Sequence, residues 1–187
     1  METSLKDIIY SDLFRYVGRK SFRDLFISYY KIPGFKYMFW FRIANYFHKR
    51  NKFIKIVSAL ILRKLSFKFG IQIPYRTKIG KGFYIGHFSC IVVSPETIIG
   101  KNVNISQGVT IGRISQGKRK GTPVIGDNVY LGPGSKIIGG IIIGCNVSVG
   151  ANAVVTKDVP DNSVVVGVPA KIISNNGSNE YINNKID

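Results

Sequence analysis

Side chains that build metal and redox sites are scarce in this sequence of 187 residues, which holds two cysteines and two histidines. Cys90 and Cys145 lack the spacing of a disulfide or metal framework, so we expect two free thiols on the outside of the fold. Catalytic zinc needs several converging ligands, and no such cluster accompanies His48 or His87 in the sequence. We therefore predict no metal site, and a zinc enzyme such as a carbonic anhydrase is disfavoured.

Acidic residues are also scarce, because 10 Asp or Glu stand against 27 Lys or Arg, for a formal net charge of +17. Residues 1–70 carry 15 basic and 4 acidic residues, a net +11, and residues 71–187 carry 12 and 6, a net +6. Such a field attracts phosphates, nucleic acid or an acidic membrane surface. No recognised nucleic-acid-binding motif accompanies it, so we expect no nucleic-acid partner.

Long apolar runs are absent as well. The longest uncharged apolar stretch in the N-terminal part, Ile56 to Leu62, is far shorter than the ~20 residues that span a bilayer. The first residues lack the basic-then-apolar pattern of a secretory leader, so we expect a cytoplasmic protein. Residues 1–70 mix aromatic with basic side chains, which leaves two interpretations open: contact with the inner face of an anionic membrane, or packing on the domain that follows. The aromatic residues concerned are Tyr29, Tyr30, Phe35, Tyr37, Phe39, Trp40 and Phe41.

Residues 1–70 have the apolar spacing of helices. We predict one helix from about Leu5 to Tyr30, a break at Pro33-Gly34, and two further helices, Phe35 to His48 and Phe53 to Phe69. The tail, residues 174–187, is rich in Asn, Ser and Gly, a composition typical of disorder. We therefore expect a short helical region, a central domain and a disordered tail.

A six-residue rhythm dominates residues 71–173 and is the mark of a parallel β-helix, in which short strands meet at corners and successive coils stack. Two interruptions stand out: two extra residues, which we place near Pro95-Glu96, and a basic loop from Arg113 to Pro123. Insertions in repeat folds often carry function, so we expect a functional loop. The aliphatic positions of the rhythm are Ile73, Ile79, Ile85, Ile91, Ile99, Ile105, Ile111, Ile125, Leu131, Ile137, Ile143, Val149 and Val155.

The order and spacing of several short motifs resemble those of the hexapeptide-repeat acyltransferases, in particular the serine acetyltransferase branch and its relatives that acetylate sugars of surface polysaccharides. The resemblance implies a mainly β fold with a left-handed parallel β-helix, acetyl transfer from acetyl-CoA to a hydroxyl, and a homotrimer with sites between neighbouring β-helices. The motifs are Gly86-His87, Gln107-Gly108-Val109-Thr110-Ile111-Gly112, Gly132-Pro133-Gly134-Ser135-Lys136-Ile137, Gly150-Ala151-Asn152-Ala153-Val154-Val155 and Gly167-Val168-Pro169-Ala170-Lys171-Ile172.

His87 follows the inward Ile85 by two positions, which points it outward, and it matches the family's catalytic histidine. A neutral imidazole there would accept the proton of the acceptor hydroxyl, whereas we treat His48 as incidental. The residues that the resemblance places on acetyl-CoA are Gly112, Gly134, Ser135, Gly150, Ala151, Lys157 and Lys171. The residues that we expect beside the acceptor are Gln72, Gln107 and Thr122.

Four positions depart from serine-specific members of the family. Gly86 and Gln72 stand where those members have acidic residues, and Gly121-Thr122 stands where their loop has an Arg-His pair. A zwitterionic acceptor needs both of its charges matched, so we predict a neutral acceptor, the hydroxyl of a sugar in a surface polysaccharide or its precursor. A serine acetyltransferase of cysteine synthesis is the alternative that we keep.

Overall fold

A computed structural model describes residues 4–187 and shows four helices that lead into a three-sided β-helix. The helices are α1 (Leu5–Val17), α2 (Phe22–Lys31), α3 (Pro33–Phe47) and α4 (Lys52–Phe69). The prediction of one helix from Leu5 to Tyr30 is wrong, because Gly18 adopts φ +66° and closes α1 with a hydrogen bond from its N–H to the Phe14 carbonyl. A glycine is the residue that best tolerates this left-handed conformation.

Short polar side chains fix where the other helices begin. The side chains of Ser4, Ser21 and Asn51 each accept a hydrogen bond from a backbone N–H in the first turn of α1, α2 and α4. This arrangement satisfies a donor that would otherwise have no partner. α3 starts at Pro33, whose fixed φ suits the first turn of a helix. The predicted break at Pro33-Gly34 therefore marks the start of α3.

The β-helix consists of short strands that form three parallel sheets, one on each side of a triangular prism. The first face holds β1 (Ile71–Gln72), β4 (Ile91–Val93), β7 (Thr110–Gly112), β10 (Lys136–Ile138) and β13 (Val154–Val155). The second face holds β2 (Lys78–Ile79), β5 (Ile98–Ile99), β8 (Val124–Ile125) and β11 (Ile142–Ile143). The third face holds β3 (Tyr84–Ile85), β6 (Asn104–Ile105), β9 (Tyr130–Leu131), β12 (Ser148–Val149), β14 (Val164–Val166) and β15 (Lys171–Ser174), and β15 alone pairs antiparallel.

The strand register shows that the two-residue insertion lies at a different place in the sequence from the one that we predicted. Ile85 pairs with Ile105 on the third face, and Val93 pairs with Ile111 on the first face. The chain therefore takes eight residues from Ile85 to Val93 where the next coil takes six, and the regular spacing resumes from Val93 to Ile99. Our placement of the insertion near Pro95-Glu96 is wrong: it lies in the corner that carries His87.

The aliphatic rhythm forms the core of the prism, as expected. Ile85, Ile105 and Leu131 lie one above another on the third face and are essentially inaccessible to solvent. In a single coil the inward residues would be exposed to water above and below. The stack of coils covers them and therefore supplies the hydrophobic stabilisation that one coil cannot. This regular core leaves only corners and outward positions for chemistry.

The helices close the first coil of the prism. Tyr37, Met38 and Phe41 of α3 belong to the same buried cluster as the prism core. Of the aromatic residues for which we left two interpretations open, Phe35, Tyr37 and Phe41 are fully buried. The packing interpretation applies to Tyr37 and Phe41, whereas Phe35 packs in a separate cluster with Ile9 and Leu13 of α1. Over residues 4–187, none of the helices combines the length and the apolarity needed to span a bilayer.

The tail is ordered against the prism, in contrast to the disorder that we predicted. Ser178 donates a hydrogen bond to the Asn128 carbonyl, Tyr181 stacks on Tyr130 with ring centroids 4.5 Å apart, and Ile182 is buried. Near its end, the Asn183 carbonyl accepts a hydrogen bond from the guanidinium of Arg15 in α1. The tail therefore runs along the third face and joins the last coils to the first helix, which composition alone does not indicate.

Candidate active site

His87 lies on the corner that joins the third face to the first face, between β3 and β4, and its side chain is exposed. We call residues 86–90, with the stacked corner residues above them, the His87 corner. Ser89 and Cys90 adopt φ +94° and +54°, which lets the two inserted residues turn outward without breaking the core. The insertion therefore makes the catalytic candidate protrude beyond the regular surface of the prism.

The strand that precedes His87 is held by α1 and α3. The Tyr16 hydroxyl accepts a hydrogen bond from the Ile85 N–H at 2.9 Å and lies 3.3 Å from the Ile85 carbonyl. Burial raises the pKa of Tyr16, so the phenol stays neutral and can donate as well as accept. Gly34 of α3 packs so closely that a Cβ would lie 2.4 Å from the Ile85 carbonyl oxygen. These two contacts fix the backbone two residues before His87.

Three further coils place small or amide side chains directly above His87. The Gly108 N–H donates to the Ser89 carbonyl, the Gly134 N–H to the Gln107 carbonyl, and the Asn152 N–H to the Pro133 carbonyl. Of the predicted site residues, the structure thus brings Gln107, Gly134, Ser135, Gly150 and Ala151 to the His87 corner. The result is a shallow strip along the edge of the prism, with an imidazole near one end.

Two members of this strip differ in what they can offer a ligand. Ser135 is fully buried, and its backbone N–H and carbonyl are already paired with Gly132 and Thr110, so it offers no free group to a ligand. The Gln107 side-chain oxygen Oε1 is shielded from solvent and has no hydrogen-bond partner within residues 4–187. An unpaired buried carbonyl is unfavourable, so this oxygen is suited to accept a hydrogen bond from a ligand.

Lys171 lies at the upper end of the same strip. It pairs with Val166, whose side chain covers Gly150, and the Ala170 N–H donates to the Val154 carbonyl at 2.9 Å. Lys171 is exposed. A cation in this position extends the strip with a group that attracts phosphate.

Gly112, Thr122 and Lys157 lie on a different corner, the one that joins the first face to the second face. The basic loop leaves the prism there between β7 and β8, and its base is closed by reciprocal backbone hydrogen bonds between Ile114 and Gly121 at 3.0 and 2.9 Å. We call residues 113–123 the basic loop. Within one chain, the first face separates this corner from the His87 corner.

Two ion pairs link the basic loop to neighbouring parts of the chain. Arg113 lies 3.2 Å from Glu96, and Arg119 lies 3.7 Å from Asp158. Both pairs are exposed and contribute little stability. Lys118 and Lys120 are exposed as well, so the loop presents a positive surface.

The strands between the two corners supply the remaining predicted residue and one that the sequence analysis missed. Gln72 is exposed on β1 of the first face. Lys136 of β10, half-buried beside the His87 corner, donates a hydrogen bond from Nζ to the Gly108 carbonyl. Its outward position on the strand, next to Ser135, is the feature of the sequence that could have identified Lys136 as a site residue. Within residues 4–187, no three His, Cys, Asp or Glu side chains are grouped so that they could hold a metal ion.

Comparisons with known proteins point to the same family that the sequence motifs resemble. Residues 122–157 match the bacterial transferase hexapeptide family (six repeats). The chain is 44% identical over 131 residues to a serine acetyltransferase of Staphylococcus epidermidis, which covers 70% of this chain and 62% of that protein. It is 40% identical over 142 residues to a serine acetyltransferase of Helicobacter pylori, which covers 76% of this chain and 82% of that protein. The chain thus spans about three-fifths of the length of the staphylococcal relative.

A solved structure agrees with these sequence matches. The crystal structure of serine acetyltransferase in complex with coenzyme A from Brucella abortus superposes with a TM-score of 0.78 at 28% identity, covering 91% of this chain and 68% of that chain. The likeness confirms the predicted fold, a left-handed parallel β-helix preceded by helices. The relatives are serine acetyltransferases, so our prediction of a sugar acceptor is wrong, and the alternative of a serine acceptor is favoured.

Proposed function

We propose that this chain, which belongs to the hexapeptide-repeat serine acetyltransferase family, transfers the acetyl group of acetyl-CoA to the hydroxyl of serine. The observation that carries the proposal is an exposed histidine on an extended corner, with a strip of small residues above it. The imidazole supplies a base, and the strip supplies room for an extended thioester. A serine acceptor also agrees with the names of the relatives.

His87 acts as the general base in the proposed reaction. Its unprotonated ring nitrogen accepts the proton of the serine hydroxyl while the oxygen attacks the carbonyl carbon of the thioester. The tetrahedral intermediate then collapses, the C–S bond breaks, and the imidazolium returns the proton to the CoA thiolate. A base placed in this way contributes about 10² to 10⁴ to the rate.

Acetyl-CoA lies along the strip above His87 in this proposal. Gly134 has no side chain and Ala151 has only a methyl group, so the pantetheine arm can come close to the backbone there, whereas Val166 covers Gly150 and Ser135 is buried. Lys171 at the end of the strip pairs with phosphate groups of the cofactor. Gly112 and Lys157, on the other corner, reach acetyl-CoA only from a second subunit.

We propose a homotrimer for that reason. The basic loop and the His87 corner lie on opposite edges of the first face, and a neighbouring prism brings the loop of one subunit to the His87 corner of the next. The acceptor then meets Gln72 and Gln107 from one subunit and Thr122 from the other. The exposed cations of the basic loop attract the serine carboxylate, and the unpaired Gln107 Oε1 accepts a hydrogen bond from the serine ammonium.

The test measures release of free CoA thiol by the full chain with acetyl-CoA and serine. We expect turnover with serine and a fall of at least 100-fold in kcat for His87→Ala, with His48→Ala as the matched control that keeps its rate. Acetyl transfer to serine that survives His87→Ala undiminished contradicts the role of His87. An enzyme that releases no CoA in response to serine contradicts the acceptor.

A further inference from the structure

The outer side of α4 carries a stripe of apolar side chains that nothing else in residues 4–187 covers. Their exposed fractions range from 41% to 78%. The stripe consists of Phe53, Ile56, Val57, Leu60 and Phe67. Exposed apolar groups scattered singly need no explanation, whereas a continuous group of this kind marks a contact surface.

The helical repeat places this stripe opposite the packed side of α4. Successive residues of an α-helix are 100° apart, so the stripe residues fall within about 60° of Leu60 on the helix surface. Ser58, Leu62 and Leu65, which face α3 and the prism, fall on the far side and are buried. α4 is therefore apolar on two opposite sides, and packing within the chain uses only one of them.

Cations border the stripe along both of its edges. Lys52 and Arg63 lie along one edge, Lys64 and Lys68 along the other, and α4 contains no acidic residue. A groove of about 640 Å³ runs beside the stripe, with Ile56, Leu60 and Phe67 on one wall and residues 72–75 on the other. An apolar stripe between two rows of cations is the pattern of a helix that lies in the plane of a membrane surface.

We propose that the outer side of α4 binds the surface of an anionic phospholipid bilayer. The stripe residues enter the boundary between headgroups and acyl chains, while the bordering lysines and arginines contact phosphates. α4 is 18 residues long and does not span the bilayer, so the contact is peripheral. The prism and the His87 corner remain in water.

Charge complementarity favours a bilayer over a second copy of this chain. A symmetric contact between two copies of α4 would bring the same cations together. In a heterologous contact, such as those of the proposed trimer, α4 would meet another surface of an equally basic chain, which holds only 10 acidic residues against 27 basic ones. Nucleic acid fits less well, because bases stack on aromatic rings, and three of the five stripe residues, Ile56, Val57 and Leu60, are aliphatic and separate the two phenylalanines at the ends. An anionic lipid surface complements both the apolar stripe and the cations that border it.

The test is co-sedimentation of the full chain with vesicles of phosphatidylcholine alone and of phosphatidylcholine with phosphatidylglycerol at 3:1. We expect at least tenfold stronger binding to the anionic vesicles and a steep loss of binding as salt rises. The variant Phe53→Gln/Val57→Gln/Leu60→Gln should lose at least tenfold in binding. The matched control Ile142→Gln/Val168→Gln/Ile173→Gln removes equally exposed apolar groups elsewhere and should bind as the unchanged chain does.

Four outcomes overturn the proposal. They are equal binding to neutral and anionic vesicles, unchanged binding by the α4 variant, a change of oligomeric state in that variant without vesicle binding by the unchanged chain, and salt-sensitive retention on DNA or RNA without vesicle binding. The third result would assign the stripe to a second copy and the fourth to nucleic acid. Acetyl transfer to serine is assayed without vesicles, so the two proposals fail separately.

Discussion

Replacing Arg42 by leucine tests how the helices hold the first coil of the prism, the coil that ends in His87. The Arg42 guanidinium is 4% exposed and contacts Asp12 of α1 through two hydrogen bonds of 2.8 and 3.0 Å. It also donates to the carbonyls of Ile79 and Gly80 at 2.7 and 2.6 Å. Asp12 in turn accepts from the Phe83 N–H at 2.9 Å. One buried ion pair therefore ties α1 and α3 to the first coil.

The expected loss of stability follows from the Asp12 carboxylate, which the substitution leaves buried without its partner. Removing one partner of a buried ion pair leaves the other charge without compensation and destabilises a protein by about 3–5 kcal/mol. This is a large fraction of the ~5–15 kcal/mol that holds a typical domain folded. With a urea m-value of about 2 kcal/mol per M, Arg42→Leu should lower the unfolding midpoint by about 2 M.

The assay is urea unfolding of Arg42→Leu, of Asp12→Leu, of the double variant, and of Arg23→Leu, which removes an exposed arginine and should change stability by less than about 0.5 kcal/mol. The double variant should be more stable than Arg42→Leu, because it no longer buries an unpaired carboxylate. A loss below about 1 kcal/mol in Arg42→Leu, or strictly additive losses in the double variant, refutes the reasoning.

Two further predictions concern the strip above His87 and the pH dependence of folding. Gly132 begins the coil corner that carries Gly134, and a Cβ there would lie 2.6 Å from the Val149 carbonyl oxygen, a backbone atom held in the sheet, so Gly132→Ala should lower the urea midpoint and raise KM for acetyl-CoA. Gly117→Ala is its control, with φ +80° and open space, and an equal effect of both would contradict the steric argument. Burial of the ring, with Arg76, Lys55 and Lys49 nearby, holds the pKa of His48 below its ordinary value, so the unfolded chain binds this proton more tightly. Stability should therefore fall as pH drops below about 6.5, less so in His48→Gln, and parallel pH profiles of the two would show that His48 has no part.

Sequence reasoning reached the β-helix and the outward position of His87, because the direction of a side chain on a short strand is set locally by its position in the repeat. It did not find where the two extra residues lie. Ile91 and Val93 are both aliphatic and both buried, so either continues the rhythm in the sequence. The hydrogen-bonded pair of Val93 with Ile111 decides between them, and this pairing depends on a coil 18 residues away.

The candidate site was predicted as one set of residues, and the structure divides it between two corners. Gly134, Gly150 and Lys171 stack above His87, whereas Gly112, Thr122 and Lys157 lie across the first face. The resemblance had already implied a site shared between subunits, but the sequence did not say which residues belong to which corner. The prediction of a sugar acceptor was wrong because the absence of charged side chains at four positions was taken as evidence against serine, although the relatives are serine acetyltransferases.

The sequence by itself determined the inward aliphatic core and the corners, through its six-residue repeat, and the excess of positive charge, through its composition, since these follow from the type and order of residues. Only the tertiary structure decided that the insertion lies in the corner that carries His87, that Asn183 meets Arg15 of α1, and that α4 keeps one apolar side uncovered. Each of these depends on which distant segments share hydrogen bonds and buried surface, and no local pattern encodes that choice.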